Sequence, residues 1–305
     1  MTAVAIQSLP QASSDATRLG ARLGIPVHAI KQHRFPDGEI QVTVGPCAST
    51  TILYVPLDQP NDKLITILFA AEALRRAGCT RLVLLAPYLC YMRQDTAFHD
   101  GEAISQKAIG RLLSDLVDRV VTVDAHLHRT TDIGAVFPGI EAGNLSAMPA
   151  IADALRGQRL APDTVIVGPD AESRPWVSDL AGRLGVAHTV AQKRRRGDRS
   201  VEVSLPEPAV VAGRPTILVD DIVSSGGTLI ACAHALTAAG ATVIDTVITH
   251  ALFPAEMMRD FELAGIRSVR STSSVPHPSN AILLDELFAT TLQGELGSTI
   301  PEAHP

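Results

Sequence analysis

Asp220 and Asp221 stand side by side in the stretch ILVDDIVSSGGTL, residues 217–229, with Ser224, Ser225, Gly226, Gly227 and Thr228 just behind them. Adjacent carboxylates accept hydrogen bonds from vicinal hydroxyls. A turn of serine, glycine and threonine at the start of a helix offers backbone N–H and hydroxyl donors to an anion. The two groups repel each other's ligands, so the pattern fits a molecule carrying both kinds, a sugar phosphate. A tight turn capped by aspartates is the plainer alternative. The spacing GxxxxGK[ST] is absent, so a P-loop is not indicated.

A second cluster is QKRRRGDRS, residues 192–200, with five cations between Lys193 and Arg199. It reads as a solvated basic loop, a nucleic-acid patch or a polyphosphate contact. The chain as a whole carries a net charge of -6, which favours polyphosphate over nucleic acid. Arg93, Gln94 and Asp95 follow the apolar run RLVLLAPY; Asp124 and His126 follow RVVTV; Asp170 follows TVIVG. On the residues alone, His126 reads equally well as a hydrogen-bonded core histidine, and His128 is a rival for any role given to it.

Positioning these groups requires strands. TILYVP (51–56), 81–88, 119–126, 163–170, 215–221 and 241–250 are short β-branched or aliphatic runs. Between them lie stretches with helical spacing, at 61–78, 174–184 and 228–240. Such alternation predicts parallel sheets with right-handed crossovers. Ligands of open α/β sheets bind beyond the C-terminal strand ends, where the polar clusters fall. The stretches EALRRAGCTRLVLLAPY and HALTAAGATVIDTVITH share one order: helix, glycine, buried strand, polar end. The fold class is therefore α/β with two similar domains, each a parallel-rich sheet flanked by helices. They are expected at 1–150 and 151–305.

With 305 residues, 46% hydrophobic and only 4% aromatic, aliphatic side chains must supply the core. Four scattered cysteines without CxxC spacing read as reduced thiols, with neither zinc nor disulfides. No run approaches a membrane span, and the N-terminus lacks a secretion-signal pattern. A cytoplasmic protein without membrane or nucleic-acid partners is the expectation.

VDDIVSSGGTL resembles the ribose-5-phosphate loop of type I phosphoribosyltransferases and ribose-phosphate diphosphokinases. RFPDGEIQV (34–42), PYLCYMRQDTAFHDGEAIS (87–105), VDAHLH (123–128), VGPDAES (167–173), the KRR of 193–195, THALF (249–253) and VPHPSNAI (275–282) resemble stretches of the diphosphokinases, in the right order over about residues 34–290. The resemblance implies two phosphoribosyltransferase-like domains. It implies transfer of the β,γ-diphosphoryl group of ATP to the anomeric hydroxyl of ribose 5-phosphate, giving PRPP and AMP.

The resemblance also implies roles. Phe35, Asp37, Glu39, Arg93, Gln94 and Asp95 would bind ATP, with Phe35 and Arg93 on opposite faces of the adenine. The FxDGE segment would serve a neighbouring subunit, implying a homo-oligomer. His126 and Asp170 would ligate Mg²⁺, and Lys193 and Arg195 would act in catalysis. Asp220 and Asp221 would hold the ribose hydroxyls, and Ser224 to Thr228 the 5-phosphate. Two departures stand out. Glu172 and Ser173 replace small residues of the pyrophosphate loop, and Thr96 replaces a common basic residue after RQD. A catalytically silent regulatory homologue and a phosphoribosyltransferase that consumes PRPP are the competing readings.

Overall fold

The computed structural model describes residues 3–127, 129–130, 132–158, 160–196 and 200–297, apart from the side chains of 193–202. The chain forms two compact units, one of residues 1–145 with 284–305 and the other of 146–283.

The first unit runs β1 (Val4–Ser8), α1 (Ser13–Leu23), β2 (Val27–Ala29), β3 (Lys31–Arg34), β4 (Ile40–Thr43), β5 (Thr50–Tyr54), α2 (Pro60–Arg76), β6 (Arg81–Ala86), α3 (Ser105–Ser114), β7 (Arg119–Val123) and β8 (Glu141–Leu145). Its six-stranded sheet has the order β2-β1-β5-β6-β7-β8, parallel throughout, while β3 and β4 form a separate antiparallel hairpin. The central strands are apolar on both faces because helices cover both: every residue of β5 is buried, and so is all of β6 after Arg81.

The second unit runs α4 (Met148–Arg156), β9 (Val165–Gly168), α5 (Arg174–Leu184), β10 (Ala187–Val190), β11 (Gln192–Arg196), β12 (Ser200–Ser204), β13 (Pro215–Val223), α6 (Gly227–Ala238), β14 (Val243–Ala251), α7 (Met257–Leu263), β15 (Ile266–Thr272) and β16 (Asn280–Ile282). Its sheet order, β10-β9-β13-β14-β15-β16, repeats that of the first unit, again all parallel. The second strand in chain order lies at an edge, the first lies beside the third, and an antiparallel hairpin is inserted between the second and third. The echo seen in the sequence is thus a repeat of topology. Its helix-to-strand corners turn at Gly78 (φ 99°) and Gly240 (φ 83°), conformations in which a side chain is strained.

A final helix, α8 (Asp285–Leu296), packs against α1 and so returns to the first unit. This differs from the expected second domain of 151–305. The boundary lies at 145/146, where β8 completes the first sheet, and the tail is tied back by specific contacts. Phe288 meets Tyr54 edge-on at 6.2 Å, Asp285 pairs with Arg22, and Glu295 pairs with Arg81 and Arg119. β13 also runs beyond the acids to Val223, because Asp220 and Ile222 stay in register with Ile248 and His250 of β14.

Candidate active site

The strand order fixes where a ligand fits in the second unit. β9 and β13 are neighbours whose connections leave in opposite directions, and their C-terminal ends therefore flank a crevice. Asp170 follows β9, and Asp220 and Asp221 lie near the end of β13. The charges of Asp170 and Asp221 both act on Asp220. Burial pushes the Asp220 carboxyl well above the ordinary carboxylate range, and the charges of Asp221 and Asp170 push it further. Asp220 is half-buried and accepts the Asp221 N–H at 3.0 Å; Asp221 is buried and accepts the Ile222 N–H at 2.8 Å.

Beyond Val223 the chain turns at Ser224 and Ser225, both exposed, and enters α6 at Gly226 and Gly227. Gly226 has φ 73°, and a Cβ there would lie 2.7 Å from the Phe261 ring, so glycine is required twice over. No side chain caps the start of α6 among the described residues, and the space above Gly227 is open. The first helical N–H groups and the hydroxyls of Ser224, Ser225 and Thr228 thus border an uncapped, electropositive turn.

The turn rests on an aromatic stack. Phe261 packs edge-on against Phe253 at 5.0 Å, and Phe253 packs against His277 at 4.4 Å. His277 is pinned at both nitrogens: Nε2 donates to the Phe253 carbonyl at 3.1 Å, and Nδ1 accepts the Ser279 N–H at 3.1 Å. Burial lowers its pKa, in keeping with the neutral ring that an accepting Nδ1 requires. Residue reading alone missed this support; its signals were THALF and VPHPSNAI.

The segment that resembles a pyrophosphate loop adopts a tight 3-10 turn at Ala171–Ser173. Asp170 caps it by accepting the Glu172 N–H at 3.1 Å, and the buried Ser173 hydroxyl donates to the Asp170 carbonyl at 2.6 Å. Gly168 is needed beneath it, because a Cβ there would lie 2.0 Å from the Ser173 hydroxyl oxygen. In this conformation the Glu172 N–H serves the protein. The Glu172 side chain is exposed.

Lys193 and Arg195 lie on β11, opposite Val203 and Val201 of β12, so the basic stretch begins as an antiparallel ribbon. Their side chains, and Arg199 entirely, lie outside the described residues.

In the first unit, Phe35, Asp37 and Glu39 form the tip of the β3–β4 hairpin. Phe35 N–H donates to the Glu39 carbonyl, and the Asp37 carboxylate accepts the Glu39 N–H at 3.1 Å. All three are exposed, Phe35 with its ring edge-on to His33 at 4.6 Å. Arg93 is exposed beyond β6. Gln94 is engaged by the start of α3: its Oε1 accepts the Ser105 hydroxyl at 2.5 Å and its carbonyl accepts the Gln106 N–H.

Asp95 is engaged by the loop that follows β7. Its side chain is 1% exposed, and its oxygens accept from Arg129 Nη1 at 2.7 Å and from the Arg129 backbone N–H at 3.1 Å. Burial opposes the charge, but these bonds outweigh it and hold the carboxyl below the usual range.

The first unit has its own counterpart of the phosphate turn, and that counterpart is filled. Gln59 precedes α2 with φ 45°, Pro60 follows, and the buried Lys63 ammonium reaches back to the Pro56 carbonyl at 2.8 Å and to Asp58 at 2.6 Å. The Lys63 ammonium at that end of the helix is thus engaged by the protein itself.

His126, half-buried after β7, belongs to the first unit and Asp170 to the second. No group of three or more His, Cys, Asp or Glu among the described residues is arranged as a self-contained metal site. The carboxylates of the second unit nevertheless suit magnesium. Asp170 keeps one oxygen outside its cap, and crowded carboxylates favour a hard cation that takes oxygen ligands and retains water.

Residues 4–116 match the N-terminal domain of ribose phosphate pyrophosphokinase, and residues 145–274 match the phosphoribosyl transferase domain. The ribose-phosphate pyrophosphokinase of Methanopyrus kandleri is 32% identical over 273 residues, covering 88% of this chain and 92% of its own. This chain belongs to the ribose-phosphate pyrophosphokinase family. Ribose-phosphate pyrophosphokinase 2 of Archaeoglobus fulgidus is 31% identical over 277 residues, covering 91% and 96%. The crystal structure of phosphoribosylpyrophosphate synthetase from Mycobacterium smegmatis shares the fold with a TM-score of 0.81 at 24% identity, over 95% of this chain and 98% of that one. No described helix of this pyrophosphokinase-family chain is long and apolar enough to cross a membrane.

Proposed function

We propose that this chain is a ribose-phosphate diphosphokinase that converts ATP and ribose 5-phosphate to AMP and PRPP. The observation that carries this is the second unit's crevice, where Asp170, Asp220 and Asp221 stand beside the open Ser224–Thr228 turn at the β9/β13 strand ends. Asp220 and Asp221 take the ribose hydroxyls, and Ser224, Ser225, Gly226, Gly227 and Thr228 take the 5-phosphate.

The anomeric oxygen of the sugar forms a bond to the β-phosphorus of ATP. The bond from that phosphorus to the oxygen bridging it to the α-phosphorus breaks, and AMP leaves with the electron pair. The hydroxyl proton passes to solvent. Such a transfer needs charge placed where the transition state spreads it, the task assigned to Lys193 and Arg195. By the family resemblance, His126 and Asp170 are the residues that would hold Mg²⁺, and the ion would supply positive charge against the donor's phosphates. Phe35, Asp37, Glu39, Arg93, Gln94 and Asp95 bind the nucleotide, and the exposed Phe35 hairpin tip suits insertion into a second copy of the chain.

The test is to incubate the pure chain with ATP, Mg²⁺ and ribose 5-phosphate. AMP and PRPP formed in equal amounts, dependent on the sugar, support the reading. ATP binding without AMP identifies a silent subunit. PRPP consumed on addition of a base identifies a transferase.

A further inference from the structure

The Asp95 carboxylate, its side chain 1% exposed, accepts two bonds from Arg129 across the gap between the loops that follow β6 and β7. Burying a charge is costly unless it is well paired, so a mere tie between two loops would be served as well by a neutral pair. What the pairing does is fix one exposed guanidinium. Arg129 remains 60% exposed, its Cζ lies 5.9 Å from the centre of the Phe98 ring, and Phe98 is itself 61% exposed. The Phe98 loop is held in turn, since Glu102 accepts the N–H groups of Phe98 at 2.6 Å and His99 at 3.1 Å.

We propose that Arg129 is a polyphosphate-binding residue for the nucleotide donor, standing in for the cation that Thr96 lacks. This rests on the diphosphokinase reading for the identity of the donor. Arg129 is bonded to the residue next to Thr96, so it brings positive charge to the neighbourhood of position 96 from the adjacent loop. It lies beyond the C-terminal strand ends, where ligands bind in such sheets. In the loops 87–104 and 124–132, Arg93 and Arg129 are the only lysines or arginines. Asp95 engages one amino group, which leaves other N–H groups of the planar fork toward solvent, suited to phosphate oxygens. The Phe98 ring lies within cation–π range of that fork.

The experiment measures binding, with Mg²⁺ present, of α,β-methylene ATP and of AMP to the full chain by titration calorimetry. Arg129→Gln should weaken the ATP analogue about tenfold and AMP less than about twofold, because AMP lacks the outer phosphates. Adding Thr96→Arg to that variant should recover most of the loss. Equal weakening of both ligands, unchanged binding of the analogue, or no recovery overturns the proposal. If Arg129→Gln does not fold, Arg129→Lys decides: it keeps a cation but loses the fork, and should weaken the analogue about threefold. Unchanged binding in that variant overturns the proposal. A wild-type chain that binds the analogue through Arg129 but forms no AMP from ATP and ribose 5-phosphate refutes the diphosphokinase reading and supports this one.

Discussion

Arg81 and Glu295 lie 214 residues apart in sequence and form a two-pronged ion pair, with Nε to Oε2 at 2.5 Å and Nη2 to Oε1 at 3.0 Å. Arg119 Nη1 reaches the same carboxylate at 2.8 Å. Both arginines begin sheet strands and Glu295 lies in α8, so this cluster fastens the last helix to the far end of the first sheet from the ligand side. Glu295→Ala leaves Arg81 and Arg119 with the more exposed Glu141 as their acidic partner and should lower the first unit's stability by about 2 kcal/mol. Urea unfolding, followed by hydrogen exchange in β6 and β7, measures it.

The same pair sets a pH dependence. Burial alone would raise the Glu295 carboxyl, but the bonds from Arg81 and Arg119 outweigh it and hold the group below the usual range. A depressed folded pKa contributes stability that is fully present above the unfolded value of about 4.3 and is lost as pH falls through the folded value. Wild type should therefore keep its advantage over Glu295→Gln from neutral pH down to the unfolded value of about 4.3 and lose it as pH falls below that. A gap that stays constant over that window would show that the pair contributes through packing instead.

Gly226→Ala places a Cβ at φ 73° and 2.7 Å from the Phe261 ring. The ring cannot retreat easily, because Phe253 and His277 stand behind it. The variant should lose about 2 kcal/mol or more of second-unit stability. It should also raise KM for ribose 5-phosphate more than KM for ATP, since the displaced turn serves only the sugar phosphate. Melting curves and initial rates with each substrate varied distinguish the two effects.

What could be read from the sequence was what repeats locally. RLVLLAPY and PTILVDD announce strands because burial on both faces leaves no polar alternation to disguise them. The doubled helix–glycine–strand pattern revealed a duplicated topology for the same reason. The return of α8 left no such trace: a pairing such as Arg81 with Glu295 has no period, and its partners look like surface charges. Asp95 shows the limit at the site. Arg93, Gln94 and Asp95 form one polar triplet after a strand, yet only the fold sends Asp95 inward to Arg129 while Arg93 stays exposed. The Phe261–Phe253–His277 support was equally hidden, since its members come from three segments that only the sheet brings together.

Asp220→Asn tests the acceptor side directly. Asp220 is the less buried of the adjacent acids and faces the crevice shared with Asp170. Removing an acceptor for a ribose hydroxyl should raise KM for ribose 5-phosphate about tenfold and leave ATP binding nearly unchanged. Isotherms for each substrate, taken separately, check this. Weakened ATP binding with the sugar unaffected would reverse the assignment of the two substrates.

Lys193→Ala addresses the chemical step. Lys193 sits on the β11–β12 ribbon, the second unit's counterpart of the hairpin that carries Phe35, and its proposed partner is charge that develops only during transfer. Loss of an interaction made only in the transition state lowers kcat and kcat/KM together and leaves KM almost unchanged. A fall of about a hundredfold or more in kcat is expected, comparable to removing one electrostatic stabiliser from a preorganised site. Steady-state rates at saturating Mg²⁺, with ATP and ribose 5-phosphate varied in turn, supply the measurement. A variant whose kcat holds while KM for ATP climbs would make Lys193 a ground-state phosphate contact. The catalytic charge would then have to come from Arg195 at the next alternate position of the same strand.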